Sequence, residues 1–69
     1  MQKVIIHNHI DDISYAFTLA EVAYRDYIVS NEYVNGKDMK LSFNGSRNIK
    51  AVAKRNDQSV TIIVKEIGK

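Results

Sequence analysis

The stretch that decides the fold is KDMKLSFNGSRNIKAVAKRNDQSVTIIVKEI, residues 37–67. Apolar and polar residues alternate along it in three runs, which is the period-2 pattern of half-buried strands. The dipeptides Asn44-Gly45 and Asn56-Asp57 separate the runs and are typical of turns. The pattern therefore predicts three strands, at residues 37–43, 48–55 and 59–67.

One register aligns the apolar residues of these three strands. It places Phe43 opposite Ile49 and Ala53 opposite Val60, and every second residue then lies on the same face of the sheet. That predicted inner face consists of Met39, Leu41, Phe43, Ile49, Ala51, Ala53, Val60, Ile62 and Val64. Its central alanines leave room for a helix to approach closely.

Residues 12–30 are predicted to form that helix, because apolar residues recur there at helical spacing. The predicted apolar stripe consists of Ile13, Ala16, Phe17, Ala20, Tyr24, Tyr27 and Ile28, opposite a polar stripe of Ser14, Thr18, Glu21 and Arg25. Asp11 or Asp12 is the expected N-cap. In a competing interpretation, Asp11-Asp12 is a hairpin turn and residues 12–18 are a strand. The helix is favoured because two-residue turns prefer Asn-Gly to Asp-Asp.

Residues 2–10, QKVIIHNHI, are predicted to form a further strand. Val4, Ile6 and Ile10 are expected to face the core, and Lys3, His7 and His9 to face solvent. The predicted fold class is α+β: a small two-layer sandwich of order β-α-β-β-β, with one amphipathic helix packed on an antiparallel sheet. Residues 1–69 form a single domain.

The size and composition restrict the possible function classes. A chain of 69 residues buries only about 60% of its unfolded surface, so self-association is an expected source of stability. Cysteine is absent, which excludes disulfides and Cys-based zinc sites. No segment reaches the roughly 20 apolar residues needed to span a bilayer, and the N-terminal residues do not resemble a signal peptide. A cytoplasmic location without membrane contact is expected.

The cluster His7-x-His9 with Asp11 and Asp12 is the feature most like a metal or hydrolase site. Two histidines fall short of the usual three or four zinc ligands unless carboxylates complete the set. Adjacent aspartates on a helix diverge by about 100° and cannot act as a dyad, and no serine lies in a nucleophile motif. We therefore predict no enzymatic activity, no catalytic residue, no metal and no cofactor.

Charge is distributed unevenly along the chain. The net charge is −3 over residues 1–36 and +5 over residues 37–69, an asymmetry that points to an anionic partner. The same register places lysines on the outer face of the sheet, beside the apolar Val52 and Ile63. The predicted binding residues on this face are Lys40, Arg47, Lys50, Val52, Lys54, Arg55, Ile63 and Lys65. Ile5 would join them if the first strand lies in the same sheet.

These features predict a small regulatory domain that docks on a protein partner and associates with itself as a homodimer. A phage-type or accessory inhibitor of a larger complex is one form that such a domain takes. Exposed Tyr15 and Tyr33 would anchor such a contact, or else cover the rim of the core. The alternative is a nucleic-acid-binding domain that uses the lysines, although the outer face lacks the aromatic residues on which bases stack. The lysines would also serve as protection against aggregation of the strands.

Overall fold

The structure, a computed structural model, describes residues 2–45 and 47–67. Its elements are, in chain order, β1 Gln2–Asn8, α1 Ile13–Ile28, α2 Asn31–Val34, β2 Met39–Asn44, β3 Asn48–Arg55 and β4 Ser59–Glu66. The strands form one sheet in the order β1-β4-β3-β2, and α1 packs on one of its faces. This confirms the predicted two-layer α+β sandwich, to which α2 adds a single helical turn.

The sheet is mixed, whereas an antiparallel sheet was predicted. β2, β3 and β4 form the predicted antiparallel meander, but β1 runs parallel to β4. The two helices carry the chain from β1 at one edge of the sheet to β2 at the other, and such a crossover permits parallel neighbours. The alternation of residue types predicts the faces of a strand but not its direction relative to a neighbour.

The predicted register is correct in one hairpin and wrong in the other. Phe43 lies opposite Ile49, as predicted. Ala53 lies opposite Ile62, two residues from the predicted partner Val60. The turn is displaced by one residue, to Asp57 and Gln58, and the Asn56 N–H donates to the Ser59 carbonyl at 2.8 Å. A shift of two residues keeps every residue on the same face of the sheet, so the predicted core residues of β2, β3 and β4 are confirmed.

The long helix is confirmed, and the competing hairpin is wrong. Asp12 is the N-cap residue: its backbone is extended, and its side chain accepts a hydrogen bond from the Tyr15 N–H at 3.0 Å. That bond satisfies one of the four N–H groups that lack a partner within the first turn. The N-cap bond therefore fixes where α1 begins.

The buried side of α1 is rotated relative to the predicted stripe. Ile13 and Phe17 were expected to face the sheet, but they are 53% and 45% exposed. The buried residues of α1 are Ala16, Leu19, Ala20, Ala23 and Tyr27. Three of them are alanines, and they pack in one core with the fully buried Ala51 and Ala53 of β3. Short side chains on both elements let the helix approach the sheet closely, so the bulkier residues lie at its flanks.

The inward face of β1 is also the opposite of the predicted one. Ile5 lies beside the fully buried Ile62 of β4, so Lys3, Ile5 and His7 face α1 and Val4 and Ile6 face away. The polar side chains of Lys3 and His7 are accommodated on this side because β1 lies at the rim of the core. The Lys3 ammonium pairs with Glu21 of α1 and lies 5.0 Å from the centre of the Tyr24 ring. The His7 ring meets Phe17 edge to face at 6.2 Å.

Ile10 is buried, as predicted, but it is not part of the strand. β1 ends at Asn8, and His9 adopts a left-handed backbone with φ of 60°. This turn interrupts the period-2 alternation of β1, so the side that Ile10 faces does not follow from its position in the strand pattern. His7 and His9 therefore do not share a strand face.

Tyr27 anchors the connection between α1 and β2. Its side chain is fully buried, and its hydroxyl donates to the Lys37 carbonyl at 2.7 Å. Burial, reinforced by the nearby Asp38 carboxylate, raises the pKa of Tyr27, because both disfavour the phenolate. The Tyr33 ring of α2 packs edge to face against Tyr27 at 5.5 Å. Tyr33 thus covers the rim of the core.

Candidate functional site

The face of the sheet opposite α1 is covered by no other element among residues 2–45 and 47–67. We refer to the strand residues that point to this side as the open face. They are Gln2, Val4, Ile6, Asn8, Lys40, Ser42, Asn44, Asn48, Lys50, Val52, Lys54, Ser59, Thr61, Ile63 and Lys65. The open face is therefore formed by all four strands.

An apolar row crosses the middle of the open face. Ile6 of β1 lies beside Ile63 of β4, and Ile63 lies opposite Val52 of β3. Ile6 is 43% exposed, while Ile63 and Val52 are half-buried by their neighbours. We call these three residues the apolar row. Val4 adds to it along β1, next to Thr61.

Four exposed lysines lie around the β3 and β4 part of the apolar row. Lys40 lies opposite Val52 at the β2 end of the row, Lys54 lies opposite Thr61, and Lys50 lies directly opposite Lys65. Within the part of the chain that the structure describes, none of the four forms an ion pair. Like charges on directly opposed residues destabilise a sheet, so an anion bound at this position would relieve a repulsion.

The structure brings six of the eight predicted binding residues together on the open face and places the two arginines elsewhere. Arg47 forms a two-pronged ion pair with Glu66, with N–O distances of 3.0 and 2.5 Å. This bond to Glu66 raises the pKa of Arg47, because it stabilises the charged guanidinium. Arg55 donates to the Tyr33 carbonyl at 2.6 Å and lies 4.8 Å from the centre of its ring.

Both arginines lie on the helix side of the sheet because they share the parity of the buried Ile49, Ala51 and Ala53. Arg55 is the last residue of β3, and Arg47 precedes β3 and is held on the same side by its ion pair with Glu66. They serve the fold: Arg47 holds the connection between β2 and β3 to the end of β4, and Arg55 holds α2 to β3.

Sequence reasoning missed Val4 and Ile6 and placed Ile5 on the open face instead. Ile5 points toward α1, since it aligns with the buried Ile62. The available signal was the pair Lys3 and His7: long or aromatic polar side chains are common at the rim of a core, where the stem packs and the polar end reaches water. The correct orientation of β1 makes the apolar part of the open face larger than predicted.

The two histidines and two aspartates do not converge. His7 packs against Phe17, His9 and Asp11 are exposed, and the Asp12 carboxylate bonds to the first turn of α1. Within the described residues, no group of three or more His, Asp or Glu side chains is arranged to hold a metal ion. Within the same ranges, no helix is long and apolar enough to cross a membrane.

Other proteins offer no guide to the site. The chain matches no protein-family model, no curated protein and no solved structure.

Proposed function

We propose that the protein is a non-enzymatic regulatory domain of the cytoplasm that docks on a partner protein through its open face. The observation that supports this most directly is the apolar row, which lies uncovered beside four lysines. Apolar patches with polar rims mark protein contacts, because their centre excludes water on binding while the rim stays solvated.

Such a role requires a complementary binding surface and no catalytic group. A domain that acts as a phage-type or accessory inhibitor would occupy part of a larger complex and block its other contacts. Binding by the open face leaves α1 and the core unchanged, so the fold serves as a rigid support for the docking surface.

The experiment is affinity capture from the native cell with four forms of the protein: the parent, Ile63→Lys, Ile6→Lys and Val29→Lys. Ile63 and Ile6 lie in the apolar row, whereas Val29, 83% exposed, follows α1. We expect one protein to be retained by the parent and by Val29→Lys and to be lost with both row variants. Equal retention by all four forms would exclude docking through the open face. Thermal melting of each variant establishes that it is folded.

A nucleic-acid-binding function is the second candidate, and the opposed Lys50 and Lys65 favour it. Ammonium groups bound to phosphates would displace the counterions that are condensed on a nucleic acid, and binding would then depend steeply on salt. The open face has no aromatic side chain among its described residues, which argues against base stacking. Nucleic-acid binding predicts salt-sensitive retention on a polyanion column that Lys50→Glu with Lys54→Glu abolishes. Salt-insensitive retention, or none, excludes it.

The proposal includes self-association, and β1 is the edge that supports it. The Gln2 N–H is directed to Gln58, so the alternating N–H groups of Lys3, Ile5 and His7 point away from β4. Free edges of this kind pair with a strand of another chain. Phe17, 45% exposed, lies against His7 above this edge, and a second copy would cover it.

Sedimentation across a range of concentrations tests the homodimer. We expect association that Phe17→Lys weakens and Val22→Lys leaves unchanged, because Val22 is similarly exposed, at 42%, on the other flank of α1. A strict monomer at high concentration would exclude the dimer. Equal effects of the two variants would place the contact elsewhere.

A further inference from the structure

The open face is mostly apolar on β1 and β4, where Lys65 near the end of β4 is the one lysine among the described residues, and mostly basic on β2 and β3. On β1 and β4, the central residues are Val4, Ile6, Thr61 and Ile63. On β2 and β3, three exposed lysines, Lys40, Lys50 and Lys54, flank Val52. The division runs along the strands, so a ligand that lies parallel to them meets apolar side chains on one flank and ammonium groups on the other.

The charge of the open face has one sign. Among the strand residues that the structure describes on this side, four are lysines and none is acidic. The acidic residues of α1, Glu21 and Asp26, belong to the other layer. A partner that covers the open face must therefore supply the carboxylates itself.

This distribution of charge argues against two occupants. The open face of a second copy would bring its own four lysines against these four, and like charges brought together in an interface oppose binding. A nucleic acid would satisfy the lysines, but its phosphates would cover Ile6 and Ile63 without apolar contact. The remaining chemistry is a protein segment that is apolar on one side and acidic on the adjacent side.

We propose, on the basis of the proposed docking function, that the open face binds an acidic amphipathic helix of the partner. The helix lies along β1 and β4 with its apolar stripe on Val4, Ile6 and Ile63 and its acidic flank toward β3. β4 has eight residues, about 26 Å at the usual rise, which corresponds to about 17 helical residues. Helices recognised in this way present apolar residues at i, i+3, i+4 and i+7.

The spacing of the lysines predicts the spacing of the partner's acids. Lys50 and Lys54 are four residues apart on β3, or about 13 Å. Two helical turns advance about 11 Å, and the flexible lysine side chains accommodate the difference. The partner helix is thus expected to carry acidic residues two turns apart on one flank of its apolar stripe.

The test is selection of binders from a displayed library of random 16-residue peptides on the immobilised full chain. Parallel selections use Ile63→Lys, the charge-reversed Lys50→Glu with Lys54→Glu, and a control, Arg25→Glu with Lys37→Glu. The control reverses two charges outside the open face. We expect the parent and the control to select peptides rich in Asp and Glu with apolar residues at helical spacing, and Ile63→Lys to lose them.

The charge-reversed protein is expected to select peptides rich in Lys and Arg. A recovered acidic peptide should bind the parent at least ten times more tightly, by fluorescence anisotropy, than its twin with every acid changed to lysine. Peptides that require Ile63 but show no excess of acids would overturn the acidic partner and leave docking through the open face intact. Acidic peptides that bind Ile63→Lys as tightly as they bind the parent would show that the apolar stripe of the helix does not contribute, and would overturn binding as an amphipathic helix. If no recovered peptide depends on the open face, the proposed function fails as well.

Discussion

At the scale of single residues, the two aspartates after β1 show how neighbours of the same type acquire different roles. The Asp12 side chain accepts the Tyr15 N–H, whereas Asp11 is exposed with no hydrogen bond to α1 among the described contacts. The acids that resembled metal ligands in the sequence are thus separated into an N-cap residue and a solvated residue.

Asp12→Ala should therefore lower the free energy of unfolding by about 1 kcal/mol, because the first turn of α1 loses its cap. Asp11→Ala is the matched control and should change the free energy by less than about 0.5 kcal/mol. Urea denaturation followed by circular dichroism measures both. Equal losses would show that the contribution of Asp12 is general electrostatic attraction rather than capping.

At the scale of elements, small side chains line the contact between α1 and β3. Ala16, Ala20 and Ala23 are fully buried, as are Ala51 and Ala53 of β3. Because these five positions lack bulk, α1 can approach β3 closely there. Such an interface has little freedom to accept a larger residue.

Ala20→Leu should destabilise the fold by about 1–3 kcal/mol or more, because the added side chain forces the helix away from the sheet. Thr18→Leu is the control, since Thr18 is exposed on the same helix, and its cost should be within about 0.5 kcal/mol. Chemical denaturation measures the free energy of unfolding of the two variants. A stable Ala20→Leu variant would mean that the helix sits farther from the sheet than the structure shows.

At the scale of the whole molecule, the sheet has one covered face and one open face. The adjacent residues Ile62 and Ile63 lie on opposite faces. Ile62 is fully buried beneath α1, and Ile63 lies half-buried in the apolar row. The core is consequently built on one side only. The apolar residues on the other side contribute less to the stability of the isolated chain than their type suggests.

Ile62→Thr should therefore cost at least about 2 kcal/mol, because it removes buried methyl groups and places a hydroxyl in the core. Ile63→Thr should cost less than about 1 kcal/mol and keep the β-branched shape. Thermal and urea unfolding of the pair measure the difference. If the losses are similar, the open face is covered in solution, which sedimentation of the same samples would reveal.

Much of the fold was predictable because local patterns and the tertiary structure agree in the meander. The period-2 pattern of β2, β3 and β4 correctly assigned Ile49, Ala51 and Ala53 to the core. The two-residue shift between β3 and β4 left those faces intact. Four lysines, Val52 and Ile63 were placed together on the open face for the same reason. Arg47 and Arg55 were predicted on the same face, although both have the parity of the inward residues.

The sequence by itself determined which segments are strands and helix and which residues of the meander face inward, since hydrophobic periodicity encodes both. Only the tertiary structure decided the direction and orientation of β1. At the rim of the core, Lys3 and His7 contact Glu21 and Phe17 of α1, so facing them inward costs little free energy. The alternation of apolar and polar residues in β1 therefore does not decide which face of the strand is buried. Pairing with β4 then places Ile6 beside Ile63, and that contact completes the apolar row on which the proposed function rests.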